Sequence, residues 1–158
     1  MAETETWVTV TLEEGMRFRG EDERGLSILM EGEGGAHPTP MRVLAMALGG
    51  CTGMDVISIL RKMRQDVTGY AIRVGGPRAG DHPHVFTALS VEHLVRGRNL
   101  DPEKVARAVT LSATRYCPVS AMLRHAAPVT HTWQAIDDAT GESRARGTVE
   151  EGVAQQSS

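Results

Sequence analysis

Two cysteines, Cys51 and Cys117, are the residues of this sequence whose side chains most readily do chemistry. Two cysteines are too few for a disulfide scaffold, and these two lack the short paired spacing of a structural zinc site. In a reducing cytoplasm such thiols are either buried packing residues or a redox pair. If they lie within disulfide distance, one thiolate can attack an oxidant and the other thiol can resolve the sulfenic acid that forms. That chemistry uses no metal and no bound cofactor.

Cys51 lies in a glycine-rich part of a predicted long helix, with Gly49, Gly50 and Gly53 around it. A glycine in the interior of a helix costs roughly 0.8–1 kcal/mol relative to alanine. Three of them so close together therefore need a reason. We expect another backbone, or a substrate, to come close to the helix beside this thiol.

Cys117 has a different setting, at the start of a short helix. Pro118 is predicted at the first helical position, which makes Cys117 the N-cap. The free N–H groups and the positive end of the helix dipole favour an anion there. Thiolates at helix N-termini have lowered pKa values, so this position predicts that Cys117 is the more acidic of the two thiols.

The elements that must position these thiols follow from hydrophobic spacing and turn signals. Alternating apolar residues predict strands, and an apolar stretch that opens at Thr39 or Pro40 predicts a helix to about Arg64. Together the elements predict an α+β fold in one domain, residues 1–136. The polar residues 137–158 predict a disordered C-terminal tail. The predicted strands cover residues 7–12, 16–20, 26–30, 70–74, 85–95 and 129–133, and the other predicted helices cover residues 101–116 and 119–126.

Composition and charge narrow the class of protein. The chain has 158 residues, 41% of them apolar and 23% charged, which is typical of a soluble globular protein. No apolar run is expected to reach the roughly 18 residues of a membrane span, and the N-terminus lacks a secretory signal, so we expect a cytoplasmic protein with no membrane partner. The basic middle of the chain has no Lys/Arg cluster interleaved with aromatic residues, so no nucleic-acid partner is expected.

The first half of the long helix is apolar on every side, which predicts that a second subunit covers part of it.

The two cysteine segments carry a resemblance to a known family. Residues 40–64 (PMRVLAMALGGCTGMDVISILRKMR) and 108–123 (AVTLSATRYCPVSAML) resemble the OsmC/Ohr family, and its OsmC-like branch in particular. The resemblance extends to residues 18–32 and to the strand segment HPHVFTALSVEHLVRG. It implies an OsmC-like α+β fold with antiparallel sheets and long central helices, in an intertwined homodimer with its active sites at the subunit interface.

The same resemblance implies an activity and roles for residues. It implies a thiol peroxidase that reduces organic hydroperoxides in oxidative-stress defence, with a dithiol reductant closing the cycle. Cys51 is then the peroxidatic cysteine and Cys117 the resolving one, contrary to the acidity that the N-cap position predicts. The resemblance also implies an activating arginine from the N-terminal hairpin. Arg19 is the best match, with Arg17 and Arg24 as alternatives.

One position departs from the family pattern. Active relatives hold that arginine with a glutamate just after the proline that opens the long helix, and here Met41 and Arg42 stand at those places. This departure supports an alternative function, in which the protein binds or senses an apolar ligand at the dimer interface without efficient turnover. A third possibility, a cysteine hydrolase or acyltransferase, needs a histidine base near a thiol. His93 is predicted instead to be a hydrogen-bonded core histidine on a strand.

Overall fold

The computed structural model describes residues 3–151 and divides the chain into two compact units, with the division between Ala45 and Met46. The first unit is a three-stranded sheet followed by the start of a long helix. The second unit contains the rest of that helix, a four-stranded sheet and the shorter helices. Both cysteines therefore belong to the second unit, and the predicted activating arginines belong to the first.

The first unit confirms the predicted antiparallel meander. Its strands are β1 (Val8–Glu14), β2 (Arg17–Asp22) and β3 (Ser27–Met30), in the order β1-β2-β3. Cross-strand partners share a face of the sheet, so the register places most of the apolar side chains on one face and most of the charged and polar ones on the other. The apolar face is largely exposed within this chain and includes Val8, Val10, Leu12 and Ile28.

Helix α1 (Pro40–Lys62) begins at the predicted proline. By length and composition alone it could cross a membrane, and 33% of its most apolar window is buried. This corrects the expectation that no apolar stretch is long enough. The core helix of a soluble protein passes the same test, and Leu48, Val56 and Leu60 of α1 are fully buried in this protein. Met46 and Met54 on the same helix are exposed.

The second sheet contains strands β4 (Asp66–Gly75), β5 (Leu89–Arg98), β6 (Val129–Asp137) and β7 (Ser143–Glu151), in that order. Strand β5 starts later than the predicted residue 85. Strands β5 and β6 are parallel, whereas the other pairs are antiparallel. The predicted α+β fold with antiparallel sheets is confirmed, with one exception in this sheet. A helical crossover connects β5 and β6, and such a connection allows parallel pairing.

That crossover consists of three helical segments and carries Cys117. Helix α2 (Pro102–Leu111) starts at the predicted N-cap, Asp101, and continues into a π-helical turn (Ser112–Tyr116). Cys117 follows this turn and caps helix α3 (Pro118–Leu123). Two buried apolar clusters fill the space between helices and sheet. The cluster around Leu48, Val91 and Val129 contains Cys117, and the other is centred on Val56, Val95 and Val109.

The end of the chain differs from the predicted tail. Residues 143–151 form β7, which pairs with β6 along its length, and only residues 152–158 of the predicted tail lie outside the described residues. The segment can be rich in polar residues and still form a strand, because β7 lies at the edge of the sheet and an edge strand with one solvated face does not need an apolar composition. Composition alone therefore could not distinguish this strand from disorder.

Gly147 on β7 allows a direct test of this packing. A Cβ atom at Gly147 would lie 2.6 Å from Nε1 of the rigid Trp133 indole, whereas one at Gly75 in β4 would meet nothing within 4 Å. We expect Gly147→Ala to lower the free energy of unfolding by about 1–3 kcal/mol, as overpacking does. Urea unfolding followed by Trp fluorescence measures this. Gly75→Ala is the matched control, and equal midpoints for the two variants would contradict the placement of β7.

Candidate active site

Cys51 is half-buried on α1, and its neighbouring glycines let the helix approach β4. A Cβ atom at Gly49 would lie 3.0 Å from Cγ2 of Val74, and one at Gly53 would lie 2.6 Å from Cδ1 of Ile72. The close neighbours that the glycines predict are thus side chains of the second unit's sheet, and not another backbone or a substrate. Gly50 has nothing within 4 Å of its Cβ position, so this contact does not explain it.

Cys117 is the N-cap of α3, as predicted. Its Sγ accepts a hydrogen bond from the backbone N–H of Ser120 at 3.3 Å, and its own N–H donates to the carbonyl oxygen of Ser112 at 3.0 Å. The residue is only 2% exposed. Cys117 is therefore held by backbone contacts on both sides and is shielded from solvent, whereas Cys51 keeps partial access.

The two thiols, far apart in the sequence, come together in the second unit. The Cys51 thiol is a hydrogen-bonding neighbour of the Cys117 thiol, and Cys51 packs against the buried cluster that contains Cys117. Both cysteines are reduced in the structure. The sequence leaves open whether the thiols meet, and the fold supplies the contact.

Burial determines the acidity of Cys117. It raises the pKa of this thiol to about 12, with Cys51 adding to the rise, and the N–H groups of α3 offset only part of this. The expectation that the N-cap position lowers the pKa of Cys117 is therefore wrong in its net direction. The helix N-terminus acts as predicted, but loss of hydration of the thiolate is the larger effect.

The raised pKa of Cys117 and the partial access of Cys51 together predict an order in which the thiols react with an alkylating agent. A thiol with a raised pKa stays protonated and unreactive at neutral pH. We expect iodoacetamide at pH 7.5 to modify Cys51 first and Cys117 at least about tenfold more slowly, because only a small fraction of Cys117 is thiolate. Peptide mass spectrometry of timed samples measures both rates. Faster labelling of Cys117 would contradict the ordering, and denatured protein, in which both thiols should react alike, is the control.

The hairpin arginines all have carboxylate partners in the first unit. Arg19 forms an ion pair with Glu13 through its Nε and donates a second hydrogen bond to Oγ of Ser27 at 3.0 Å. Arg17 binds the other oxygen of Glu13 at 3.3 Å. The hydrogen bond from Arg19 is the main reason that the pKa of Glu13 is lowered. Arg24 forms an ion pair with Asp22.

Glu13 is a residue that sequence reasoning missed. It holds Arg19 in a chain where the family's glutamate is absent, and Arg42, at that place, forms an ion pair with Glu33 at 3.7 Å. A register shift between Leu12 and Glu14 accompanies this arrangement. Opposite charges on the two arms of a predicted hairpin are a signal for such a pair, but the bulge that sets the register is not visible in the sequence.

A polar contact joins the two segments that carry the thiols. Oγ1 of Thr52 on α1 lies 2.9 Å from Oγ of Ser112 in the π-helical turn, and both side chains are fully buried. The Ser112 hydroxyl also donates to Oδ2 of Asp55 at 3.0 Å. Asp55, one turn after Cys51, thus has a partner on the opposite helical segment.

A second polar chain crosses the sheet. Oη of Tyr70 lies 2.5 Å from Nδ1 of His93, and Nε2 of His93 lies 3.1 Å from Nδ1 of His131. Burial, with a contribution from His131, lowers the pKa of His93 to about 3, and burial raises the pKa of Tyr70 above its usual range. The prediction of a hydrogen-bonded core histidine is confirmed. A base with so low a pKa is a poor proton acceptor at neutral pH, which counts against His93 as the base of a hydrolase.

No candidate metal site is found among the described residues. Between residues 3 and 151, no group of three or more His, Cys, Asp and Glu side chains is arranged to hold an ion.

Comparison with known proteins identifies the family. The family model described as OsmC-like protein matches residues 32–132. Protein YhfA of Escherichia coli strain K12 is 43% identical over 124 residues, which are 78% of this chain and 92% of that protein. A crystal structure of a hypothetical protein from Aquifex aeolicus VF5 is 25% identical, with a TM-score of 0.78 over 85% of this chain and 98% of that one.

A crystal structure of the organic hydroperoxide resistance protein OhrB of Bacillus subtilis shares the fold alone. It is 18% identical, with a TM-score of 0.55 over 84% of this chain and 98% of that one. The resemblance that the cysteine segments carry is confirmed, because the matched residues 32–132 include both cysteines and all three α-helices. The chain therefore belongs to the OsmC-like protein family.

Proposed function

We propose that this protein is a two-cysteine thiol peroxidase that reduces organic hydroperoxides. The observation that carries the proposal is the contact between a partly accessible thiol, Cys51, and a buried thiol of raised pKa, Cys117. A peroxidatic cysteine must meet its substrate, and a resolving cysteine must be next to it but remain unreactive until it is needed. The pair meets both requirements.

The proposed cycle has three steps. The Cys51 thiolate attacks the distal oxygen of the hydroperoxide, so that an S–O bond forms, the O–O bond breaks and an alcohol leaves after taking up a proton. The Cys117 sulfur then attacks the sulfenic acid on Cys51, so that a disulfide forms and water leaves. A dithiol reductant supplies two electrons and two protons and restores both thiols. We place this cycle in the cytoplasm, where such reductants are abundant.

The experiment that tests this proposal follows one turnover without a reductant. Reduced protein is mixed with one equivalent of cumene hydroperoxide, and peroxide loss, free thiols and intact mass are measured over time. The proposal expects one peroxide consumed, two thiols lost and a mass lower by that of two hydrogens. Thiols that survive unchanged for many minutes would refute it.

Arg19 is the arginine that we propose activates the Cys51 thiol, as the family resemblance implies. A positive charge that lowers a thiol pKa by one unit gives up to tenfold more thiolate. We expect Arg19→Ala to slow the reaction of Cys51 with cumene hydroperoxide at least about tenfold, and Glu13→Gln to slow it less, because Arg19 keeps its bond to Ser27. The control is Arg73→Ala, which removes an exposed arginine of β4 that forms an ion pair with Glu92. Equal rates for the Arg19 and Arg73 variants would rule out this role.

We also propose that the protein forms a homodimer, as the resemblance implies. Its support is the exposed apolar face of the first sheet together with the exposed Met46 and Met54 on α1. A contiguous exposed apolar surface, such as the face of this one sheet, marks an interaction site. Sedimentation equilibrium should give twice the chain mass, and a monomer at micromolar concentration would contradict it.

A second function is favoured by one observation. The first unit has a groove of about 340 Å³ whose lining is almost entirely apolar, with Val10, Met16, Phe18 and Met30 among its residues. That volume lies in the range of small-molecule sites. Binding of an apolar ligand without turnover is therefore the function that we favour if the thiols do not react with hydroperoxide.

A further inference from the structure

The contact of Thr52, Ser112 and Asp55 joins α1 to the π-helical turn through three polar side chains. The Ser112 hydroxyl has one proton, and the Asp55 carboxylate can only accept a hydrogen bond. Ser112 therefore donates to Asp55 at 3.0 Å, and the Thr52 hydroxyl donates to Ser112 at 2.9 Å. The bond to the carboxylate is the stronger kind, because its acceptor is charged. The three side chains thus form a directed chain that fixes Ser112 against α1.

Both ends of this chain of hydrogen bonds lie on the helix that carries Cys51, and its middle residue, Ser112, is bonded to Cys117. On α1, Thr52 is the residue after Cys51, and Asp55 follows one helical turn later. On the other side, the Ser112 carbonyl accepts the N–H of Cys117 at 3.0 Å, the bond that spans the π-helical turn. The Ser112 side chain is therefore bonded to the helix that carries Cys51, and its backbone is bonded to Cys117.

The π-helical turn itself needs an explanation. Such turns are rare, and they occur frequently at functional sites. Here the turn ends at Cys117, which adopts an extended conformation and caps α3. Ser112 is both the first residue of the turn and the residue tied to α1.

We propose that Ser112, held by Thr52 and Asp55, is a positioning residue that keeps the Cys117 sulfur against Cys51 and so controls how fast the disulfide closes. This inference rests on the proposed function for its place in the cycle. It concerns only the second step, in which the S–S bond forms, the S–O bond of the sulfenic acid breaks and water leaves. Ser112 has no proposed role in the first step, the attack of Cys51 on the hydroperoxide.

The test separates the first step from the second. Ser112→Ala is mixed with one equivalent of cumene hydroperoxide in the presence of dimedone, which traps sulfenic acids. We expect peroxide loss within about twofold of the unmodified protein, disulfide closure at least about tenfold slower, and a dimedone adduct on Cys51. Asp55→Asn keeps an acceptor oxygen for Ser112 and should restore most of the closure rate relative to Asp55→Ala. Thr114→Ala is the matched control, because it removes an exposed hydroxyl of the same turn, one that donates to the carbonyl oxygen of Thr110 on the preceding helix.

A second measurement does not depend on peroxide. The disulfide is equilibrated with mixtures of reduced and oxidised dithiothreitol, and we expect the effective concentration of the two thiols to fall at least about tenfold in Ser112→Ala. Unchanged closure and an unchanged equilibrium in this variant would overturn the positioning role. If the unmodified protein did not consume peroxide, the proposed function would fail. The dithiothreitol equilibrium would still decide whether Ser112 positions the two thiols. If Ser112→Ala does not fold, Thr52→Val takes its place. This variant removes only the hydroxyl that donates to Ser112, and its closure rate and disulfide equilibrium are compared with those of the unmodified protein.

Discussion

Cys51→Ser is expected to consume no hydroperoxide, whereas Cys117→Ser is expected to consume one equivalent and then stop. Cys51 is the thiol that keeps partial access to solvent, and a serine hydroxyl is not ionised at neutral pH and cannot replace a thiolate nucleophile. We expect the rate of peroxide loss to fall at least about a thousandfold in Cys51→Ser, the scale of losing a nucleophile. In Cys117→Ser the Cys51 sulfenic acid forms and has no thiol beside it. Stopped assays of cumene hydroperoxide with a dimedone trap measure both outcomes.

The comparison of the two variants also assigns the roles. The double variant, Cys51→Ser with Cys117→Ser, gives the baseline for peroxide loss that does not involve a thiol. A dimedone adduct on Cys117 in the Cys51→Ser protein, with undiminished peroxide loss, would reverse the assignment. That result would mean that the helix N-terminus outweighs burial at Cys117, contrary to the raised pKa of this thiol.

Stability is expected to fall as the pH drops from about 6.5 to 4.5, because of His93. Its pKa is about 3 in the folded protein and near its ordinary value of 6.5 in the unfolded chain. Between these values the unfolded state binds the proton and the folded state does not, so stability is present above pH 6.5 and is lost as the pH falls. Each pH unit corresponds to about 1.4 kcal/mol, so the expected loss over this window is about 2–3 kcal/mol. Urea unfolding at a series of pH values measures it.

The physical cause of this loss is the surroundings of the imidazole. His93 is fully buried, and its two ring nitrogens face Tyr70 and His131. Burial holds the Tyr70 proton firmly, so Tyr70 donates to Nδ1 and His93 donates onward to His131. A second proton on His93 would break the bond from Tyr70 and place a charge in the core.

His93→Gln is the control variant for the pH series. It is expected to be less stable at pH 7.5, because a buried hydrogen-bond partner is lost, but to show a shallower decline between pH 6.5 and 4.5. The carboxylates with lowered pKa values, Glu13, Asp22 and Asp137, lose their contributions only as the pH falls through the range below their ordinary values near 4. They therefore do not account for a decline in this window. A decline of the same slope in His93→Gln would assign the effect to other groups.

Much of the fold could be predicted because its signals are local. The starts of α1 and α2, the N-cap role of Cys117 and the first three strands follow from proline, capping residues and alternation over a few neighbouring positions. Strand β7 could not be predicted in this way. Its residues are polar, and it is a strand because β6 offers it an edge to pair with.

The candidate site shows the same division between local and distant information. The sequence points to Cys51, Cys117 and Arg19, but it indicates the wrong direction for the pKa shift of Cys117 and misses Glu13. The pKa of Cys117 depends on how much water the packed cluster excludes, and the partner of Arg19 depends on a bulge in the hairpin. Neither quantity is a property of a short stretch of residues.

The sequence by itself determined the family, the two candidate cysteines and the helices that position them. Only the tertiary structure decided that the two thiols touch, that Ser112 joins their helices, and that burial prevails over the helix dipole at Cys117. The reason is physical. Helix starts and caps depend on neighbours along the chain, whereas the distance between two thiols and the hydration of each depend on packing between segments far apart in the sequence.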